Sequence, residues 1–415
     1  MRQERVADYP LVALALILSA FGIAMVYSAG QTDVPTLVLH LWRKQLLWLA
    51  LGLAAAYLAS RAPVRMMDFL TTPAYVATCV VLLLLLFFGK GGTTATANRS
   101  WLAVGGVKIG QPSELAKIAV VLMLAKVLSA QREAPKSLLD LWWPALVVGV
   151  PWLLVMAQPD LGTGLVFIGI FFAMLFWSGA SWQLLVLAAS PGVSLVLGGS
   201  TNLWGAWFLL LLGLVLWYKP YVAEGVFIVL MNVVTGVVAP VAWNRLSPYQ
   251  RGRFLGFLDP ASDPLRSGYH VLQSQVAIGS GGWLGKGFTE GTQKRLAFLP
   301  AQHNDFIFPV VGEELGFLGV TVALTLFLLL FLRCVRVAAR ATDPFASLIA
   351  FGLVATWFVH LLVNVGMTLN LMPITGIPLP FFSYGGSFML ACWIGVGIQV
   401  RLSAEGRGRA DMLVI

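Results

Sequence analysis

Apolar runs, most of them 16 to 22 residues long, recur from one end of this chain to the other, separated by short polar stretches. About 20 apolar residues cross a bilayer as a helix, and hydrocarbon leaves no partner for an open sheet edge. The pattern predicts helices over 10–29, 41–59, 72–88, 114–130, 141–158, 162–178, 182–198, 203–218, 223–243, 307–332, 346–367 and 385–402. Twelve crossings put both termini on one side. Only two connections are long, 89–113 and 244–306, and both fall on the opposite side. The expected fold class is therefore all-α, a polytopic membrane helix bundle.

Composition agrees with that reading. Apolar residues make up 59% of the 415 and charged ones 11%, with mean hydropathy +0.84, whereas a soluble domain carries about 25% charged residues. Arg2 and Arg5 ahead of the run from Pro10 to Ala29 resemble a signal sequence, but the run exceeds a signal core, so an uncleaved first span is expected. Cys79, Cys334 and Cys392 each sit in an apolar run and read as small packing residues rather than a metal or disulfide set. The net charge of +9 is not a nucleic-acid signal, because no basic soluble domain carries it.

Lys and Arg divide almost evenly between the two sides, 14 on the terminal side and 13 on the other. Orientation follows short loops, however. Those on the terminal side are basic, as at Arg61–Arg65 and Arg333–Arg336, while Gly199–Asn202 and Asn370–Ser383 opposite hold no basic residue. The termini are expected to be cytoplasmic. The outer charges then cluster in the two long loops, at Lys90, Arg99 and Lys108, and at Arg245, Arg251, Arg253, Arg266, Lys286, Lys294 and Arg295. Positive charge outside runs against topology preference, so an anionic ligand, or anionic lipid headgroups, would account for it.

Candidate chemistry gathers at this outer side. Asp305, with His303 and Asn304, ends the longest polar loop, and ionisable groups beside hydrocarbon default to function. Glu313 and Glu314 follow within the next span, either facing a polar cavity or bracing the helix start. Glu114 and Lys117 share a helix face and form either part of a cavity or an ion pair. Asp160 lies between two spans, where it would orient a base or cap the next helix. Gly281–Gly287 resembles a phosphate loop but lacks Ser or Thr after Lys286 and a correctly spaced first Gly. No His-Glu-x-x-His or paired cysteines occur, which disfavours a nucleotide-driven ATPase and a zinc protease. Pro373–Ser387, dense in Pro and Gly at membrane depth, is expected to line a cavity.

Taken in order, Asn98–Trp101, Gln111–Lys117, Gln158–Thr163, Gly268–Ser274, His303–Phe308, Glu313–Gly316 and Ser383–Gly386 resemble the SEDS family of bacterial cell-wall proteins across nearly the whole chain. Within it, Gly291–Gln293 and Thr375–Pro380 look more like the elongation branch than the division branch. The resemblance implies a peptidoglycan glycosyltransferase that polymerises lipid II, an undecaprenyl-pyrophosphate disaccharide-peptide, at the outer face of the bacterial cytoplasmic membrane beside a class B penicillin-binding protein. It puts the essential carboxylate on Asp305 and the cavity charges on Glu114, Lys117 and Asp160. Arg99, His303, Lys286, Lys294, Glu313 and Glu314 join them as candidate substrate-side groups. The family has ten spans, so the resemblance makes 203–243 an extra transmembrane hairpin.

Forming a β-1,4 bond from an α-linked pyrophosphate inverts configuration, which needs one base on the acceptor hydroxyl and stabilisation of an anionic leaving group. Asp305 suits the base. Outer-loop Arg and Lys, or a divalent cation such as Mg or Mn, suit the pyrophosphate; no organic cofactor is implied. A lipid II flippase is the rival class and would need a polar path through the bilayer. A scaffold without activity is a third reading.

Overall fold

The computed structural model describes residues 8–33, 38–89, 100–104, 107–246, 248–260, 268–299 and 301–410. Its helices are α1 (Tyr9–Gly30), α2 (Leu41–Arg61), α3 (Val64–Phe88), α4 (Ser113–Ser129), α5 (Trp142–Ala157), α6 (Leu161–Trp177), α7 (Trp182–Leu197), α8 (Thr201–Tyr218), α9 (Val222–Arg245), α10 (Pro248–Leu258), α11 (Tyr269–Ser280), α12 (Thr292–Arg295), α13 (Ile307–Arg340), α14 (Pro344–Thr368) and α15 (Gly386–Ala410). Every predicted span falls on one of them. Among the described residues, eight helices are long and apolar enough to cross a membrane, and α6 and α7 are shorter apolar helices. Two short strands, Leu102–Val104 and Val107–Gly110, pair antiparallel in the 89–113 connection, outside any span.

The bundle is built around α14, which packs on α4, α6 and α13. The most apolar stretch of α14 is 67% buried, against 6% for α8, which sets the centre and the margin of the molecule. α2 lies along α15 at very close range: a Cβ on Gly397 would fall 2.3 Å from the Ala56 carbonyl. Small residues allow such backbone contact where no hydrophobic force between helices exists. At the terminal end, Asp8 caps α1 and binds Arg333 of α13 at 2.9 Å and Ser403 of α15 at 2.9 Å.

Three features depart from the linear reading. The 244–306 connection carries three helices, α10 to α12, rather than open loop. The predicted single span over 307–332 breaks at Gly316, whose φ of 62° and ψ of −160° interrupt α13, and Arg333–Arg336 belongs to the end of α13 rather than to a loop. In the 178–243 region α7 packs along α9, and α8 touches both more lightly. A buried network joins these three helices: Ser194 Oγ donates to Asn232 Oδ1 (2.6 Å), Asn232 Nδ2 to Ser190 Oγ (2.8 Å) and Trp207 Nε1 to Ser194 Oγ (3.1 Å). Trp207 thus turns inward to α7. Tyr218 Oη donates to the Lys136 carbonyl (3.2 Å), so the α8–α9 turn lies at the same end as the 130–141 connection.

Candidate active site

Asp305 sits at the end of the segment that turns into α13, and this turn is fixed from several sides by backbone polar groups that need partners. Gln302 Nε2 donates to the Ala29 carbonyl at the end of α1 (2.7 Å). Ser383 Oγ donates to the Asn304 carbonyl (2.7 Å), and the Tyr384 N–H to the His303 carbonyl (2.9 Å). Asn364 of α14 donates from Nδ2 both to the Asp305 carbonyl (2.9 Å) and to the Ile377 carbonyl (2.8 Å). One amide therefore fastens the Asp305 turn to the 373–380 segment. Gly376, at φ +75°, closes over the carboxylate so tightly that a Cβ there would lie 3.1 Å from Asp305 Oδ2.

The Asp305 side chain, by contrast, is left unsatisfied. Its Oδ1 is buried with no hydrogen-bond partner among the described residues. Burial raises its pKa to about 6; Arg253 of α10 pulls the other way and Asp160 adds to the rise. His303 is held neutral, its pKa lowered to about 4 by burial, with Nδ1 also unpartnered. Asp160 caps α6 through Oδ1, which accepts from the Thr163 N–H (3.1 Å), while Oδ2 accepts from Thr163 Oγ1 (2.9 Å) and Gln111 Nε2 (2.9 Å). Asp160 is within electrostatic reach of both Asp305 and Glu114. Behind it, Lys117 Nζ lies 2.7 Å from Glu114 Oε2, both fully buried, and 2.7 Å from His360 Nε2. That Glu114 oxygen is near the ammonium but off the hydrogen-bond direction. The series Asp305, Asp160, Glu114, Lys117 thus comes together from three separate segments.

Glu313 and Glu314 form a second centre on the α13 arm before the Gly316 break. Glu313 Oε1 takes Lys286 Nζ (2.8 Å), Thr292 Oγ1 (3.0 Å) and the Gln293 N–H (2.9 Å). Glu314 pairs with Lys294 (2.7 Å) and accepts from Ser28 Oγ (2.6 Å), with all three residues buried. Burial lowers the Lys294 pKa against the pull of Glu314. The glycine-rich stretch that imitated a phosphate loop docks here by its backbone: Lys286 and Gly287 N–H donate to the Glu313 and Glu314 carbonyls (3.0 Å each), and Phe317 N–H to the Gly282 carbonyl (2.9 Å). A Cβ on Gly316 would fall 2.3 Å from the Gly285 nitrogen, so the broken helix and the loop interlock only without one.

Arg99 lies outside the described residues, as do Lys90 and Arg266. Sequence reading missed three groups as site residues: His360, Gln111 and Arg253. A histidine inside the apolar run 346–367 was itself a signal. Among the described residues no three or more His, Cys, Asp or Glu stand together as a metal set. Asp305 and Asp160 supply two carboxylates, enough for a magnesium-like ion that takes its other oxygens from phosphate and water.

Comparison with known proteins gives a single answer. A family model described as "Cell cycle protein", covering FtsW, RodA and SpoVE, matches residues 9–205 and 205–408. The peptidoglycan glycosyltransferase MrdB of Escherichia coli (strain K12) is 34% identical over 95% of this chain and 93% of its own. The peptidoglycan glycosyltransferase RodA of Treponema pallidum is 32% identical over 96% and 98%, and a probable peptidoglycan glycosyltransferase FtsW of Geobacter metallireducens 34% over 97% and 96%. Among solved structures, a chain from work described as "Structural coordination of polymerization and crosslinking by a peptidoglycan synthase complex" superposes with TM-score 0.71 at 29% identity, covering 97% of this chain and 98% of that one. The rod shape determining protein RodA of Thermus thermophilus gives 0.63 at 27%, with the same coverage.

Proposed function

The chain belongs to the FtsW/RodA/SpoVE family, named SEDS above, and from that premise we propose that it polymerises lipid II with Asp305 as general base. It is a multi-pass membrane peptidoglycan glycosyltransferase. The observation that supports the mechanism is the Asp305 carboxyl, buried at Oδ1 without a partner and poised at a pKa of about 6. A base works best with a pKa near the working pH, and is worth roughly 10²–10⁴ in rate. Asp305 takes the proton of the acceptor sugar's 4-hydroxyl, whose oxygen displaces undecaprenyl pyrophosphate from the donor's anomeric carbon with inversion. Arg253, within electrostatic reach of Asp305, counters negative charge that builds up on the leaving group. A divalent cation held by Asp305 and Asp160 would supply the same neutralisation. His303, neutral, adds no competing charge beside the base.

Basic short loops at the terminal end support cytoplasmic termini and an outer-face site. A crosslinking class B penicillin-binding protein is the proposed partner, in keeping with the described synthase complex. The Gly291–Gln293 and Thr375–Pro380 segments favour elongation over division, and the marginal place of α8, whose most apolar stretch is 6% buried, supports 203–243 as an added hairpin. A flippase would need the charged series to continue to the far side. Instead it ends at Lys117 and His360, against the Phe388 ring. Purified protein given labelled lipid II tests the reading: glycan strands support it, and translocated monomer without strands overturns it.

A further inference from the structure

His360 is a buried ionisable group that this mechanism leaves unused, and both its nitrogens are engaged. Nδ1 lies 3.0 Å from the Pro378 carbonyl and Nε2 2.7 Å from Lys117 Nζ. A carbonyl oxygen only accepts, and an ammonium only donates. The ring is therefore neutral, with its proton on Nδ1 and an acceptor at Nε2. Four residues along the same face of α14, Asn364 takes the neighbouring Ile377 carbonyl and the Asp305 carbonyl. α14 thus grips two successive carbonyls of the segment whose Gly376 closes over Asp305, and His360 joins that segment to the Lys117 ammonium.

We propose that His360 is a positioning residue for glycosyl transfer: tethered through Nδ1 to the Pro378 carbonyl, it fixes the Lys117 ammonium beside Glu114 through Nε2. This inference rests on the glycosyltransferase reading. Lys117 has a choice of directions inside the bundle, and only an acceptor opposite Glu114 holds its three protons in one arrangement. The Phe388 face completes the seat, 5.3 Å from Nζ and stacked on the imidazole at 4.7 Å.

Two substitutions separate the two grips. In His360→Asn the short amide reaches the Nδ1 position and still donates to Pro378, but nothing accepts from Lys117. In His360→Gln the longer amide puts an oxygen near the Nε2 position and keeps Lys117. Purified variants assayed on labelled lipid II, with rates expressed per folded molecule from thermal unfolding, are expected to show kcat down by about 10- to 100-fold for His360→Asn, with KM changed little, since misplaced catalytic groups cost up to about 10²-fold. His360→Gln is expected to recover most of that loss. Wild-type kcat per folded molecule in His360→Asn overturns the proposal, as do equal kcat losses in both variants, the mark of a packing role alone. An inactive wild type would instead overturn the glycosyltransferase reading, so the two failures are distinguishable.

Discussion

Asp305 and the Glu313–Glu314 pair lie less than ten residues apart in sequence and at the same end of the bundle, yet their charges are met differently. Glu314 pairs with Lys294 and accepts from Ser28, and Glu313 Oε1 takes Lys286, Thr292 and a backbone N–H, although Glu313 Oε2 is itself buried without a hydrogen bond among the described residues. Asp305 has a buried, unpartnered oxygen as well, but no cation within ion-pair distance among the described residues, and it stands near Asp160. A buried carboxylate whose charge is already met by a cation is structural. One whose charge is left unpaired is costly unless an exchanging ligand or proton completes it. The difference separates the brace that seats the 282–294 loop from the centre proposed to meet substrate.

The sharpest way to break that contrast is to neutralise the unpaired carboxylate. Asp305→Asn is expected to lower glycan synthesis by about 10²–10⁴ or more while yield and melting temperature stay at wild-type level. Near-normal polymerisation would remove Asp305 from the chemistry. Next in size, Lys117→Glu puts a second carboxylate beside Glu114 in a buried site and should cost more than about tenfold in activity. Arg336→Glu, exposed near the end of α13, should cost little. Equal tolerance would make the Glu114–Lys117 pair a brace like the other.

At the second centre the expectation reverses. Glu314→Gln leaves Lys294 buried and unpaired, a loss of about 3–5 kcal/mol in stability, read as a lower melting temperature, with activity per folded molecule within about threefold of wild type. A large drop in kcat at unchanged stability would place Glu314 in the mechanism. The smallest effect is in pH. Because the Asp305 pKa is raised to about 6, the base is ionised above that value and lost as pH falls through it. The rate should be about halved at pH 6 and fall about tenfold per unit below. A profile flat to pH 5 would argue against Asp305 as the base.

Much of this was legible in the sequence. The span positions, the clustering of Lys and Arg in the two long connections, and the segments carrying Asp305, Asp160, Glu114 and Lys117 all came from runs and spacings. Glu313 and Glu314 were visible as a costly pair, but not which cations would take them. Gly281–Gly287 looked like a failed phosphate loop, and its role in locking the α13 break was invisible. His360 stood plainly in an apolar run, yet nothing nearby in the chain pointed to Lys117.

What the sequence determined by itself is the set of helices, because desolvating a backbone and burying apolar side chains are local costs that accumulate over about 20 consecutive residues. Only the tertiary structure decided which polar groups meet: Ser28 with Glu314 across 286 residues, Lys117 with His360 across 243, and α7 with α9 rather than α8 with α9. A hydrogen bond or an ion pair acts over a few ångströms, so its partners are set by which helix faces which. That is a property of the packed bundle, and one that linear spacing does not encode.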